Sequence, residues 1–386
     1  MKILIIHCVY QYQGGEYTVV QEEMKLLQSI GNAIKLLQFT NKGNKFLKLL
    51  QLPFNIPSYI KTIKTLKLFR PDVVHIHNLH FGGSASVIYA IKRKKIPLII
   101  TLHNFRLLCP SATLFFNGKV FLDSLNQKFY WSAIKKGVYK NSSALTFWLS
   151  VSMRFHQWLK TWKKPDKYIV LSRHSKELFL HSRLGIEERQ LVIKPNFILP
   201  PVLKKTFRND HFLFIGRLSD EKGIDILLET FSKLNQYSLM IAGEGPLKKK
   251  VAEYTRKCLN IDYLGVLNIK RIHAELQTCS ALVFPSIWYE GMPLTIIESF
   301  ACGTPVIASK LGAMQNMIKD GYNGLHFDPE DKNDLELQLK KWMLLSEEER
   351  SVFRANALET YRQNYTPEKN AEQLVAIYNS VIKDDA

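Results

Sequence analysis

Two carboxylates, Glu290 and Glu298, bracket a Gly-Met-Pro stretch at the start of an apolar run in the segment FPSIWYEGMPLTIIESF. The pattern predicts a strand ending at Pro285, a loop, and a helix opening near Pro293, with Glu290 ahead of the helix and Glu298 inside it. Were the intervening residues wholly helical, the two carboxylates would stand about 12 Å apart. A diphosphate with a sugar at one end and a ribose at the other spans a similar length. The backbone between them, Gly291, Met292, Pro293, Leu294 and Thr295, forms a helix N-terminus whose free N–H groups suit an anion. One segment thus offers a carboxylate for hydroxyls, amides for phosphate, and a second carboxylate for further hydroxyls.

Other segments repeat the theme. In IGRLSDEKGIDILLETF, Arg217 and Lys222 fall in a loop after a strand, with Gly216 and Gly223 permitting a tight backbone. Arg by its planar fork and Lys as a point charge both suit a diphosphate. IAGEGPL supplies another strand-to-glycine turn at Gly243, and YLGV an edge at Val266 where backbone groups meet a base. Each alone is ordinary in an α/β domain; the set together is not.

These residues need strand ends to hold them. Apolar or β-branched runs recur as KILIIH, AIKLLQF, PDVVHIHN, PLIITLHN, KYIVLS and QLVIKPN, separated by amphipathic stretches of helix length. The rhythm restarts at HFLFIGRL and continues through YSLMIAG, IDYLG, ALVFPS, TPVIAS and GLHFD. Buried strands alternating with helices predict two open, doubly wound parallel sheets. The proline-rich stretch around 196–206 reads as the linker. The expected division is 1–197 and 198–366, with a last helix, 367–386, returning to the first domain. Residues 331–365 read as one acidic helical stretch. In such sheets ligands bind beyond the carboxyl ends of the strands, so a cleft between two facing domains is the expected active site.

Composition narrows the partners. The 386 residues carry a formal charge of +19, and residues 1–200 hold 30 basic against 9 acidic side chains, while 201–386 hold 23 against 25. The excess of +21 therefore belongs to the first half. Within it, residues 128–164 contain eight Lys or Arg, no Asp or Glu, and Trp131, Trp148, Trp158 and Trp162. Cations among tryptophans suit an anionic bilayer interface, at about 1 kcal/mol per basic residue near the surface. No apolar run approaches the ~20 residues of a membrane span. Five scattered cysteines without a C-x-x-C pair argue against a disulfide framework and suit a reducing cytosol.

The combination IGRL…EKG, AGEGP, LG and E-G-x-P-x-x-x-x-E followed by A-x-G-x-P-V-I-A resembles glycosyltransferase family 4, enzymes of the GT-B fold, over nearly the whole chain. Gly14-Gly15-Glu16 is similar to that family's N-terminal glycine loop, and TLHNFRLLCP to its histidine strand end. The resemblance implies retaining transfer from a nucleoside-diphosphate sugar to a saccharide or lipid-linked acceptor, with no metal and no other cofactor. No D-x-D occurs to hold a metal on the diphosphate. Carried over, Glu298 binds the ribose, Arg217 and Lys222 take the diphosphate, and Glu290 with the 291–294 amides holds the sugar. Gly14, Gly15, Gly216, Gly243, Val266 and Thr295 complete the donor side, and His103 approaches the donor from the opposite domain as a catalytic group. Glu16, His77 and Asn104 fall on the acceptor side. The implied location is the cytoplasmic face of the plasma membrane, and the implied product a bacterial surface polysaccharide or glycolipid.

Rival readings remain. His75, His77 and His80 in HIHNLH invite a metal, but no carboxylate or cysteine lies nearby in sequence. They read instead as hydrogen-bonded core and cleft-lining residues. A cationic nucleic-acid-binding protein would explain the charge but not the donor-like motifs, all of which fall in the near-neutral half. A GT-B sugar-nucleotide epimerase is expected to show a different carboxylate pattern.

Overall fold

The computed structural model describes residues 1–9, 14–41, 49–125, 127–204, 207–331 and 333–383, with the side chains of 80, 81 and 383 excepted. The chain divides into two compact units. One comprises Met1–Phe116, Phe121–Asn196 and the segment from Pro367; the other comprises Phe197–Thr366 with the short Asn117–Val120 segment.

The first unit alternates β1 (Lys2–Val9), α1 (Gly15–Ser29), β2 (Ala33–Thr40), α2 (Ile56–Phe69), β3 (Val73–Asn78), α3 (Ser86–Arg93) and β4 (Leu98–Leu102). There follow α4 (Ser143–Trp158), β5 (Lys167–Val170), α5 (Arg173–Leu180) and β6 (Leu191–Ile193). The strands are parallel and ordered β2-β1-β3-β4-β5-β6, so the winding reverses between β1 and β3. Ile3, Ile5, Val73, Ile99 and Ile169 point from this sheet into a core shared with Val20 and Leu27 of α1.

The second unit runs β7 (Phe212–Ile215), α6 (Ile224–Lys233), β8 (Leu239–Ala242), α7 (Lys248–Lys257), β9 (Ile261–Gly265), α8 (Ile269–Thr278) and β10 (Ala281–Phe284). It continues with α9 (Leu294–Ala301), β11 (Val306–Ser309), β12 (Gly324–Phe327), α10 (Asp334–Leu344) and α11 (Glu347–Asn364). Its parallel order, β9-β8-β7-β10-β11-β12, reverses between β7 and β10. All twelve strands expected from the apolar runs form. The helical stretch after β12 breaks in two, because Ser346 and Glu349 make a reciprocal capping box that starts α11 afresh.

The last helix, α12 (Pro367–Lys383), belongs to the first unit, where Leu374, Ile377, Tyr378 and Val381 join the β1–β3–β4–β5 core. Residues 384–386 of the expected helix lie outside the described residues.

In the second unit, glycines lock three strand-end loops together. A Cβ on Gly223, at φ 70°, would lie 1.8 Å from the carbonyl oxygen of Pro285. One on Gly243, at φ 143°, would meet the carbonyl oxygen of Gly216 at the same distance. These glycines serve loop-to-loop contact at the reversal of the sheet rather than only approach to a ligand. Replacing Gly223 by Ala combines a left-handed strain with a backbone clash. Gly223→Ala should lose on the order of 3 kcal/mol in urea melts, whereas Gly321→Ala, equally left-handed but open around its Cβ, should lose clearly less.

Candidate active site

The loops following β7 and β10 flank the point where the second sheet reverses, the place where open α/β sheets bind ligands. The β7 loop closes with a short turn at Asp220–Lys222, and the β10 loop runs from Pro285 to Pro293 before α9. They are joined covalently in sequence nowhere near each other, yet Ile287 N–H donates to the Glu221 carbonyl at 3.0 Å. Lys222 Nζ reaches Glu290 Oε1 at 2.6 Å, and Ser286 Oγ donates to the same oxygen at 2.6 Å. The Lys222 ammonium also stands 5.6 Å from the Phe284 ring centre and 5.5 Å from that of Trp288. Trp288 Nε1 is buried without a hydrogen-bond acceptor among the described residues. Arg217, in the same loop as Lys222, is exposed.

Glu298 sits one turn into α9, largely buried, and no described side chain donates to its carboxylate. Burial alone pushes its pKa up to about 7. Such a group is an acceptor lacking donors, and vicinal hydroxyls would supply them. Met292 and Pro293 are buried, while Gly291, Leu294 and Thr295 are half-buried at the helix start. Val266, on the loop after β9, is 70% exposed.

The first unit holds a second polar cluster, again at a sheet reversal. Residues Glu16 and Glu23 lie seven apart on α1 and face the same side, towards the ends of β1 and β3. Glu16 accepts from Asn78 Nδ2 at 2.6 Å and lies 3.0 Å from His7 Nε2. Glu23 is 2% exposed and receives Lys194 Nζ, itself 1% exposed, at 2.6 Å. Burial would raise the Glu23 carboxyl, but the neighbouring Lys194 outweighs it and holds the group below its ordinary value.

Three histidines extend the cluster. His75 is saturated, with Nδ1 2.8 Å from Tyr378 Oη of α12 and Nε2 2.7 Å from Thr101 Oγ1. His77 Nε2 faces Glu23 Oε2 at 3.4 Å, and its Nδ1 meets His103 Nε2 at 3.1 Å. Desolvation lowers the pKa of His77 far below its usual value and that of His103 as well, so both rings are neutral near pH 7. Neither His77 Nε2 nor Glu23 Oε2 has a hydrogen-bond partner among the described residues, so their 3.4 Å approach is a contact and not a hydrogen bond, and the proton of the His77–His103 hydrogen bond can sit on either ring.

Donor atoms of Glu23, His75 and His77 lie within 4.8 Å of one another, a spacing a metal could use. The residues do not fit one: both His75 nitrogens are engaged, and Lys194 already brings a positive charge to Glu23. The trio His75, His77 and His80, read from the sequence as core and cleft-lining residues rather than metal ligands, cannot be compared in full, because the His80 side chain lies outside the described residues.

Family comparison agrees with both halves. A model described as glycosyl transferases group 1 matches residues 201–360, and one described as glycosyltransferase family 4 matches residues 38–199. An uncharacterised glycosyltransferase of Methanocaldococcus jannaschii is 28% identical over 56% of this chain and 60% of its own length. The alpha-monoglucosyldiacylglycerol synthase of Acholeplasma laidlawii is 25% identical over 75% of this chain and 70% of its own. The crystal structure of Anabaena HepE in complex with UDP superposes with a TM-score of 0.70 at 17% identity, covering 98% of this chain and all of that one. The match thus spans less than two thirds of the M. jannaschii protein. The chain belongs to glycosyltransferase family 4, and its fold is GT-B.

Of the residues expected to act in this family 4 chain, Lys222 and Glu290 meet, but as an ion pair with each other rather than as separate ligands. Glu298, the α9 start and Arg217 belong to the same strand-end region of the second unit. Gly14 has an extended backbone at φ −124° and open space around its Cβ, so the local fold does not demand glycine there. Asn104 Oδ1 caps its own loop by accepting from Arg106 N–H at 3.0 Å. Sequence reasoning missed Glu23, Lys194, Tyr378, Ser286 and Trp288. For Glu23 the signal was present: an E-x6-E repeat places it two turns from Glu16 on one helix face.

The raised Glu298 pKa carries a stability consequence. From the ordinary value of 4.5 up to about 7, the folded chain holds a proton that the unfolded chain has released, so stability falls as pH rises through that window. Glu298→Gln removes the penalty, at most about 3 kcal/mol. The variant should melt like the wild type at pH 5 and higher than it at pH 8; a difference largest at pH 5 would contradict the burial assignment.

Proposed function

We propose that this family 4 chain transfers a sugar from a nucleoside-diphosphate sugar to a saccharide or lipid-linked acceptor, with retention at the anomeric carbon and without a metal. The carrying observation is the grouping at one sheet reversal of Arg217, the Lys222–Glu290 pair, the amides opening α9 and the unpartnered Glu298. Those groups match, in chemical type, a diphosphate, a sugar and a ribose. HepE, which shares the fold, was crystallised with UDP, which supports a nucleotide ligand for this kind of scaffold.

In the proposed reaction the bond between the anomeric carbon and the β-phosphate oxygen breaks, and a bond from the acceptor oxygen forms on the same face. The acceptor proton passes to the departing phosphate. Negative charge grows on that phosphate, and Arg217, Lys222 and the α9 amides are placed to stabilise it. Such preorganised donors contribute about 3–4 kcal/mol each where they have been measured at oxyanion sites. Glu290, held by Ser286 and Lys222, is assigned the donor sugar's hydroxyls, and Glu298 those of the ribose. His103, neutral and engaged through Nε2 with His77, is assigned a hydrogen bond between its Nδ1 and a sugar hydroxyl. In this reading the first unit serves the acceptor and the second the donor.

Arg217→Ala should lower turnover about 10²-fold with melting unchanged, because the side chain is exposed. Lys222→Ala should lose as much turnover and also stability, since it strands the buried Glu290. Wild-type turnover in Arg217→Ala would remove the diphosphate assignment. Tighter binding to random DNA than to any UDP-, GDP- or ADP-sugar would favour a polyanion-binding protein instead.

The acceptor side is assigned to the cytoplasmic surface of the membrane, for synthesis of a glycolipid or a bacterial surface polysaccharide. Among the described residues no helix is long and apolar enough to cross a membrane. The aromatic side chains of the basic segment divide: Trp131 is 55% exposed, Phe147 44% and Trp158 72%, whereas Trp162 is buried and Trp148 is half-buried, donating to the Leu49 carbonyl. Lys135, Lys136, Lys140, Lys160 and Lys163 accompany them in the same segment. The chain should co-sediment with phosphatidylglycerol vesicles and not with pure phosphatidylcholine, and Trp158→Ser should weaken it; equal sedimentation with both lipids would contradict this location.

A further inference from the structure

The first unit contains a cavity of about 140 Å³ beside His103. Strand β4 forms one wall through Ile100 and Leu102, and α4 forms the other. Leu149, Ser152, Met153 and His156 of α4 line it, at i, i+3, i+4 and i+7, which is one helix face. The opposite face of the same helix carries the exposed Phe147 and Phe155.

A sugar subsite needs free donors and acceptors, because a pyranose presents hydroxyls in every direction. The polar atoms in these walls are largely committed elsewhere. His156 bonds the Pro53 carbonyl at 2.8 Å and Thr161 Oγ1 at 3.2 Å. Thr101 Oγ1 is held by His75, and Ser84 Oγ receives Asn55 N–H at 3.1 Å. Hydrocarbon and the Met153 sulfur dominate what is left, with His103, Asn104 and Arg106 the polar groups on the β4 side. An apolar cavity of roughly 150 Å³ stays dry and accepts a benzene-sized guest. This one is nearly as large.

We propose that the cavity is a hydrocarbon subsite. It takes the first carbons of an acyl or isoprenyl chain of a lipid-borne acceptor, whose sugar-receiving oxygen then lies next to His103. The inference rests on the transferase reading and adds the chemical class of the acceptor. The basic, aromatic-edged exterior of α4 fits an anionic lipid surface from which such a chain would come.

The test is calorimetric titration of the full chain with methyl, butyl, hexyl and octyl β-glucosides below their micelle concentrations, with citronellyl glucoside as the branched isoprenyl counterpart. Affinity should rise about threefold per added carbon to roughly six carbons and then level off. Preference for the citronellyl over the octyl compound identifies an isoprenyl source, and the reverse an acyl source. Ser152→Phe fills the cavity and should abolish the chain-length dependence while leaving methyl glucoside binding unchanged; Ala85→Leu, from a different part of the lining, gives a second filling variant should the first fold poorly. Affinity independent of chain length, or a dependence that survives a folded filling variant at full slope, would overturn the subsite. UDP binding is scored separately by thermal shift. Its loss with the chain-length dependence intact would defeat the donor reading and leave the subsite standing.

Discussion

A short ammonium–carboxylate pair sits at each sheet reversal, fully buried in the first unit and with its lysine partly exposed in the second, and much of the polar architecture depends on these two contacts. Lys194 meets Glu23 in the first unit and Lys222 meets Glu290 in the second, each at 2.6 Å. Such pairs gain little net stability, since desolvating two ions costs about as much as their attraction returns; removing one partner costs roughly 3–5 kcal/mol because the other is stranded. Their value is therefore in what they fix. Lys222 ties the β7 loop to the β10 loop and orients Glu290. Lys194 keeps Glu23 ionised inside the protein, beside the neutral rings of His77 and His103.

The two units use charge differently. In the second, few cations are placed with care and the overall charge is near zero. The first carries the surplus on its surface, while its interior cluster sets Lys194 against the buried Glu23 and the partly buried Glu16, with the His75, His77 and His103 rings neutral. Desolvation keeps those rings neutral, so the surrounding basic surface does not translate into a positively charged site. The surplus is left to act on partners outside, consistent with the outward aromatic residues of the α4 region.

The fold was legible because its strands are continuous apolar runs, and a run such as FLFI or VVHIH followed by glycine or a polar turn marks both a strand and its ligand-bearing end. Arg217 was legible because it follows a strand end, and Glu290 and Glu298 because they bracket the loop and helix start that come after β10. The partners were not. Glu23 and Lys194 are 171 residues apart and His75 and Tyr378 303 apart, and no local periodicity joins positions so distant. Lys194 in QLVIKPN lies just before the expected linker, and only the strand order puts it behind α1. Gly243 shows the same limit, because a glycine that admits a ligand and one that admits another loop look identical in sequence.

The account turns on a buried Glu23 held ionised by Lys194 beside histidines that desolvation keeps neutral. The direct measurement is nitrogen-15 NMR of the imidazoles at pH 7, comparing the wild type with Glu23→Gln. In the wild type both His77 and His103 should appear as neutral rings with one nitrogen protonated on each, and they should stay neutral in the variant, where an attraction for the imidazolium has been removed. A doubly protonated ring at either residue in the wild type would contradict the account.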